Sequence, residues 1–207
     1  MNHLLIFARH PELGRVKTRL ARTIGDAAAL AVYKQLLAHT RRAADGLTSA
    51  QKTVWLAEAV LPPANPAAHW PGYPWQVQPA GDLGQKMAAA FAQTFAAGAL
   101  AVAIIGTDCP GLTTAHLAAA FRQLQTHDVV LGPADDGGYY LLGLKALHPA
   151  LFADKTWSTD SVLAATLADT RRLGLRVTLL PPLRDVDTEA DLVAWRQQRQ
   201  SERRGPG

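Results

Sequence analysis

The run Val102-Ala103-Ile104-Ile105-Gly106-Thr107-Asp108-Cys109-Pro110-Gly111 constrains the fold of this chain more than any other stretch. Its apolar part is too short for most helices. It ends on a glycine, a carboxylate and a Cys-Pro-Gly break, the pattern of a fully buried parallel strand. In open α/β sheets, ligands bind beyond the carboxyl ends of the strands. Asp108 therefore falls where a ligand, or a cation bound to it, would be met. The competing reading is that it only caps a turn or the next helix.

The same alternation runs through the rest of the chain. Strand patterns are expected at 3–9, 53–57, 75–78, 101–105, 128–131, 138–144 and 176–180. Helical patterns are expected at 26–44, 83–97, 113–125, 160–172 and 188–199. Strands separated by helices of this size make βαβ units, hence an α/β fold with a mostly parallel sheet covered by helices on both faces. The segment 61–74, rich in proline and holding Trp70 and Tyr73, reads as a loop long enough to suspect a functional or lid role.

With 207 residues the chain suits one domain with a sizeable core, expected over 1–197 with a flexible tail at 198–207. No uninterrupted apolar run reaches bilayer length. The N-terminus opens on strand-like Leu4-Leu5-Ile6-Phe7-Ala8 with no basic lead, so a signal peptide is not expected. Cys109 is the only cysteine, which excludes an internal disulfide and a cysteine-built zinc site. The expected location is the cytoplasm. The net charge of +4 comes largely from two clusters, 9–22 and 196–204. The first holds no aromatic residue between Arg9 and Arg22, so nucleic acid is not the expected partner.

Four segments can carry chemistry. The first follows the opening strand. Arg9, Arg15, Lys17 and Arg19, with Gly14 among them, can neutralise a diphosphate, arginine by bidentate hydrogen bonds and lysine as a point charge. It has neither the Walker A nor the dinucleotide-binding glycine spacing, and the competing reading is a solvated basic loop. In the second, Gly81-Asp82-Leu83-Gly84, the residues Gly81, Asp82 and Gly84 either cap a helix or hold a phosphate against its free amides. The third, Asp135-Asp136-Gly137-Gly138-Tyr139, sets two adjacent acids before a glycine pair. It is either a surface turn or a site for a cation, sugar hydroxyls or an acceptor nucleophile. The fourth holds Asp185 and Asp187. Two carboxylates from separate strand ends, with water and a diphosphate, make a Mg²⁺ or Mn²⁺ site. Trp157 either fills the core or stacks on a bound ring. The seven histidines (3, 10, 39, 69, 116, 127, 148) show no ligand spacing, and neither a nucleophile elbow nor a zincin motif is present.

Taken together, Phe7-Ala8-Arg9…Gly14-Arg15-Val16-Lys17-Thr18-Arg19-Leu20, Gly81-Asp82-Leu83-Gly84…Met87, Gly106-Thr107-Asp108-Cys109-Pro110-Gly111, Gly132-Pro133-Ala134-Asp135-Asp136-Gly137-Gly138-Tyr139-Tyr140 and Asp185-Val186-Asp187-Thr188 resemble the GT-A-like nucleotide-diphospho-sugar transferase superfamily. More closely, they resemble the bacterial radical-SAM/selenodomain-associated, or arsenosugar-biosynthesis, glycosyltransferases. The resemblance implies a three-layer α/β/α Rossmann-like domain that binds a nucleotide-sugar through Mg²⁺ or Mn²⁺, with Asp108 on the metal. Two departures stand out. An Asp-x-Asp is common at this place, whereas Thr107-Asp108-Cys109-Pro110 has one acid, so the second ligand must come from elsewhere, Asp185 or Asp187. His10 also stands where an aromatic residue is expected. The implied activity is metal-dependent glycosyl transfer to a small-molecule acceptor. Asp135 or Asp136 would serve as general base or bind the acceptor beside Gly137, Gly138, Tyr139 and Trp157. Two other functions compete: nucleotidyl transfer from an NTP, and nucleotide binding without turnover. The oligomeric state is not legible.

Overall fold

The computed structural model describes residues 1–59 and 65–204. Residues 61–64 of the suspected lid lie outside the described residues. Among the described residues, seven strands form one sheet: β1 (Asn2–Ala8), β2 (Ala50–Leu56), β3 (Trp75–Val77), β4 (Ala101–Ile105), β5 (Val129–Pro133), β6 (Tyr139–Leu144) and β7 (Val177–Leu179). Their spatial order is β3-β2-β1-β4-β6-β5-β7. β6 runs antiparallel to both its neighbours and every other pair is parallel. The α-helices among the described residues are α1 (Thr18–Ile24), α2 (Asp26–Asp45), α3 (Leu83–Ala96), α4 (Thr114–Gln123), α5 (Val162–Arg172) and α6 (Glu189–Arg204). The fold is the expected three-layer α/β/α arrangement with a mostly parallel sheet.

Strand alternation divides the core. Leu4, Ile6, Val54, Ala103 and Ile105 face one side, against Tyr33 and Leu37 of α2 and Leu117 and Phe121 of α4. Leu5, Trp55, Val102, Ile104 and Leu142 face the other, against Met87, Ala90 and Phe91 of α3, with Leu163 and Leu167 of α5 packed alongside. A third cluster ties α1 and α2 to α6 through Leu20, Val32, Leu36, Val186, Leu192 and Trp195.

Two elements differ from expectation. The first helix is expected at 26–44, with the basic segment before it read as loop, but helix α1 begins at Thr18, held because Leu20 and Val16 are buried against the core. α6 continues to Arg204, through residues expected to be tail. Among the described residues, no helix is long and apolar enough to cross a membrane.

The chain leaves β1 through α1 and α2 to β2 on one side, and after β3 it returns through α3 to β4 on the other side of β1, so the strand order reverses at β1. This reversal opens a crevice beyond the carboxyl ends of β1 and β4. The 183–187 segment reaches the same edge through backbone pairing. Leu183 N donates to Pro133 O (3.0 Å), Asp135 N to Leu183 O (3.2 Å) and Val186 N to Asp108 O (3.0 Å).

Candidate functional site

The crevice holds a cavity of about 630 Å³. At its floor, Lys17 Nζ lies 2.5 Å from Asp108 Oδ1 and 2.7 Å from Asp187 Oδ1. The lysine side chain is only 4% exposed, while the two carboxylates are 47% and 38% exposed. Lys17 precedes α1 in a left-handed backbone conformation (φ 48°, ψ 45°), uncommon for a residue with a Cβ. Burial works against the ammonium charge. Asp108 and Asp187 outweigh it by charge and hydrogen bonding, so the Lys17 pKa rises. Arg9 and Arg19 also line the cavity.

Asp136 and Asp185 line the same cavity. Burial, with the like charges of Asp136 and Asp187, pushes the Asp185 carboxyl up to about 6. Asp136 Oδ1 accepts a hydrogen bond from Gly138 N at 2.9 Å, closing the turn that carries it. Asp135 does not share this position. It faces Arg184 (Nε to Oδ2, 3.3 Å) with both side chains about half exposed, outside the cavity lining.

Several of the predicted phosphate contacts have other roles here. Arg15 Nη2 sits 2.7 Å from Glu58 Oε2, and Arg9 Nη1 is 3.3 Å from the other oxygen of the same carboxylate. Neither Gly14 nor Arg15 lines the cavity. Gly81, Asp82 and Gly84 also lie outside it. Asp82 and Gln85 form a reciprocal capping box, with Gln85 N donating to Asp82 Oδ1 (2.8 Å) and Asp82 N to Gln85 Oε1 (2.9 Å). That arrangement satisfies amides an anion would need. Gly84 is small for a packing reason, since a Cβ there would meet the Trp157 indole Nε1 at 2.3 Å.

Trp157 lines the cavity with Ser158 and Thr159, and Ser158 takes a positive φ of 64°. This segment docks on the Asp136-Gly137-Gly138 turn. A Cβ on Gly137 would meet the Asp160 carbonyl oxygen at 2.2 Å, and Leu163 N donates to Gly137 O at 3.0 Å. Gly138 and Tyr139 line the cavity directly, whereas Gly137 supports the wall from behind. Burial raises the Tyr139 pKa.

The sequence reading missed Tyr33. Its hydroxyl accepts from Arg9 N (2.9 Å), donates to Arg9 O (3.2 Å), and lies 3.4 Å from Thr107 Oγ1. It thereby stitches the ends of β1 and β4 together beside Asp108. A tyrosine on the inward stripe of α2 was the available signal. Phe7, Gln78, Lys86 and Met87 also face the cavity, and the sequence assigns none of them a site role. Cys109 is buried, which, with the Asp185 and Asp108 charges, raises its thiol pKa and keeps the nucleophilic thiolate scarce.

Among the described residues, no three His, Cys, Asp or Glu side chains are grouped as a metal cage. A magnesium-type site, however, needs only one or two carboxylates plus substrate phosphate and water. Asp108 and Asp187 supply hard oxygen donors that already converge on one positive charge, the Lys17 ammonium. In kind, these are the oxygen donors of a Mg²⁺ or Mn²⁺ site, with the Lys17 ammonium between them.

A family model described as an uncharacterized protein conserved in bacteria (DUF2064) matches residues 40–159. The fold matches the crystal structure of a "putative nucleotide-diphospho-sugar transferase" from Desulfovibrio desulfuricans G20. The identity is 31%, the match covers 97% of this chain and 88% of that one, and the TM-score is 0.88. More distant matches share the fold alone. One is a CMP:2-keto-3-deoxy-manno-octonic acid synthetase complexed with CTP (12% identity, 97% and 99% of the two chains, TM-score 0.61). Another is glucosyl-3-phosphoglycerate synthase from Mycobacterium tuberculosis in complex with Mn²⁺, UDP and glucosyl-3-phosphoglycerate (11%, 93% and 74%, TM-score 0.58). A sequence comparison with curated proteins finds no match.

Proposed function

Since the chain belongs to the DUF2064 family of bacterial proteins, whose fold is that of nucleotide-sugar and nucleotidyl transferases, we propose that it is a transferase acting on a nucleotide-activated substrate, and specifically a glycosyltransferase with a nucleotide-diphospho-sugar donor. One observation carries this reading: Lys17, Asp108 and Asp187, far apart in sequence, meet at one charged point on the cavity floor at the switch point of the sheet. Breaking a glycosyl-phosphate bond develops negative charge on the departing diphosphate, and preorganised cations are the means of stabilising it. Of the cations that line the cavity, Lys17, Arg9 and Arg19 come from the segment after β1 and serve this task. Asp108 and Asp187 would hold the divalent ion, which adds Lewis-acid stabilisation of the leaving group. Asp136 and Asp185 carry the acidic side, where the acceptor hydroxyl would give up its proton to a carboxylate within hydrogen-bond reach. Tyr139 and Trp157 bound the space for the acceptor, a small molecule. The affiliation with the radical-SAM/selenodomain-associated, or arsenosugar, glycosyltransferases and a cytoplasmic location belong to this same proposal.

Nucleotidyl transfer is the second reading. The CTP-complexed synthetase, whose fold this chain shares, motivates it. Product analysis separates the two: free nucleoside diphosphate marks glycosyl transfer and free pyrophosphate marks nucleotidyl transfer. The first experiment is a thermal-shift panel of nucleotides and nucleotide-sugars with and without Mn²⁺. A ligand at about 100 times its Kd stabilises the folded state by about 2.7 kcal/mol, a rise of roughly 5–10 °C for a chain of this size. Asp108→Ala should abolish the Mn²⁺-dependent part of that rise. A panel in which no nucleotide moves the melting point overturns the proposal.

A further inference from the structure

Lys17 is the enclosed member of the cavity's charges. Its side chain is 4% exposed and its ammonium touches two carboxylates that are each more than a third exposed. The carboxylates thus reach solvent while the cation they bind does not. The geometry points to a shared seat: the Lys17 ammonium and a divalent cation are alternative occupants of the position between Asp108 and Asp187, so that metal entry drives Lys17 out of the floor and into the cavity, where a diphosphate would receive it.

This inference rests on the proposal that the cavity takes a metal-diphosphate substrate, and it adds the order in which the charges rearrange. An ammonium at 2.5 and 2.7 Å from two oxygens fills the space a metal bound to those oxygens would need, and two cations at contact distance repel. Lys17 is suited to leave. A lysine carries a point charge on a flexible four-carbon stem, and the side chain borders the open cavity. The exchange also keeps the charges matched. Before binding, one ammonium partly neutralises two carboxylates. Afterwards the divalent ion neutralises them and the released ammonium faces phosphate. Metal and diphosphate then bind cooperatively, because each relieves the charge the other leaves unpaired.

Lys155 provides an internal reference. It is 2% exposed and bound to Asp169, and it lies outside the cavity lining. Amine acetylation of the wild-type protein, read residue by residue by mass spectrometry, should find both lysines protected without ligands. Mn²⁺ alone should speed acetylation of Lys17 by about tenfold, within the usual range of coupling between sites, and leave Lys155 unchanged. Mn²⁺ with a nucleoside diphosphate should restore the protection of Lys17. In parallel, titration of free Mn²⁺ by electron paramagnetic resonance should show Lys17→Met binding Mn²⁺ more tightly than wild type in the absence of nucleotide, with a smaller further gain on adding diphosphate. Bound Mn²⁺ with Lys17 as protected as Lys155 overturns the exchange, and so does Mn²⁺ that binds neither protein. The footprint needs no variant, so it decides the matter even if Lys17→Met misfolds. Both arms with Mn²⁺ alone need no nucleotide, so a protein that fails the nucleotide panel can still show the exchange.

Discussion

Gly137→Ala tests whether the two walls of the cavity are pressed together as tightly as their backbone positions imply. The new Cβ would lie 2.2 Å from the Asp160 carbonyl oxygen and 2.6 Å from its Cα. These are backbone atoms that cannot rotate away, so the 134–138 turn must separate from the Trp157–Asp160 segment. Gly137 also has φ +84°, and an alanine held there costs about 1–2 kcal/mol of steric strain. Overpacking adds about 1–3 kcal/mol. The sum, roughly 2–5 kcal/mol, lowers the melting temperature by about 4–20 °C for a chain of this length. Gly174→Ala is the matched control. Its φ is +64° and nothing lies within 4 Å of the added methyl, so it carries the strain without the clash and should lose only about 1–2 kcal/mol. Thermal or urea melts of the two variants isolate the clash as their difference. Asp136, Gly138, Trp157 and Ser158 line the cavity from these walls, so ligand binding should weaken more in Gly137→Ala than in Gly174→Ala. Equal melting points for the two variants would refute the reasoning.

Asp82→Ala should cost about 1 kcal/mol through loss of the capping box and leave nucleoside diphosphate affinity unchanged, measured by a melt and by calorimetry; a folded variant that no longer binds would return the start of α3 to the site. For Asp185, the folded pKa near 6 stands above the ordinary 3.8. The folded state therefore holds this proton more tightly, and the associated stability is full below about pH 4 and lost as pH rises through 6. Asp185→Asn should gain on wild type across that window in urea unfolding midpoints, and parallel curves for the two proteins would show that the carboxyl is not crowded.

The strand and helix pattern was readable because hydrophobic periodicity is local. Ala101–Ile105 was bounded correctly from its apolar run and the Gly-Thr-Asp that ends it, and the parallel-sheet rule then placed Asp108 at the ligand edge. Pairing between distant side chains was not readable. Nothing local in Arg15 distinguishes a phosphate ligand from a partner of Glu58, 43 residues away, and Gly84 gives no hint that Trp157 lies on it. Lys17 and Asp187 are 170 residues apart. They meet because β1 lies beside β4 and because residues 183–187 pair back onto β5 and Asp108. Residue types and their spacing along the chain thus establish which chemistry is present and at which edge of the sheet. Which charge faces which is decided by strand order, a non-local packing outcome that no window of sequence contains.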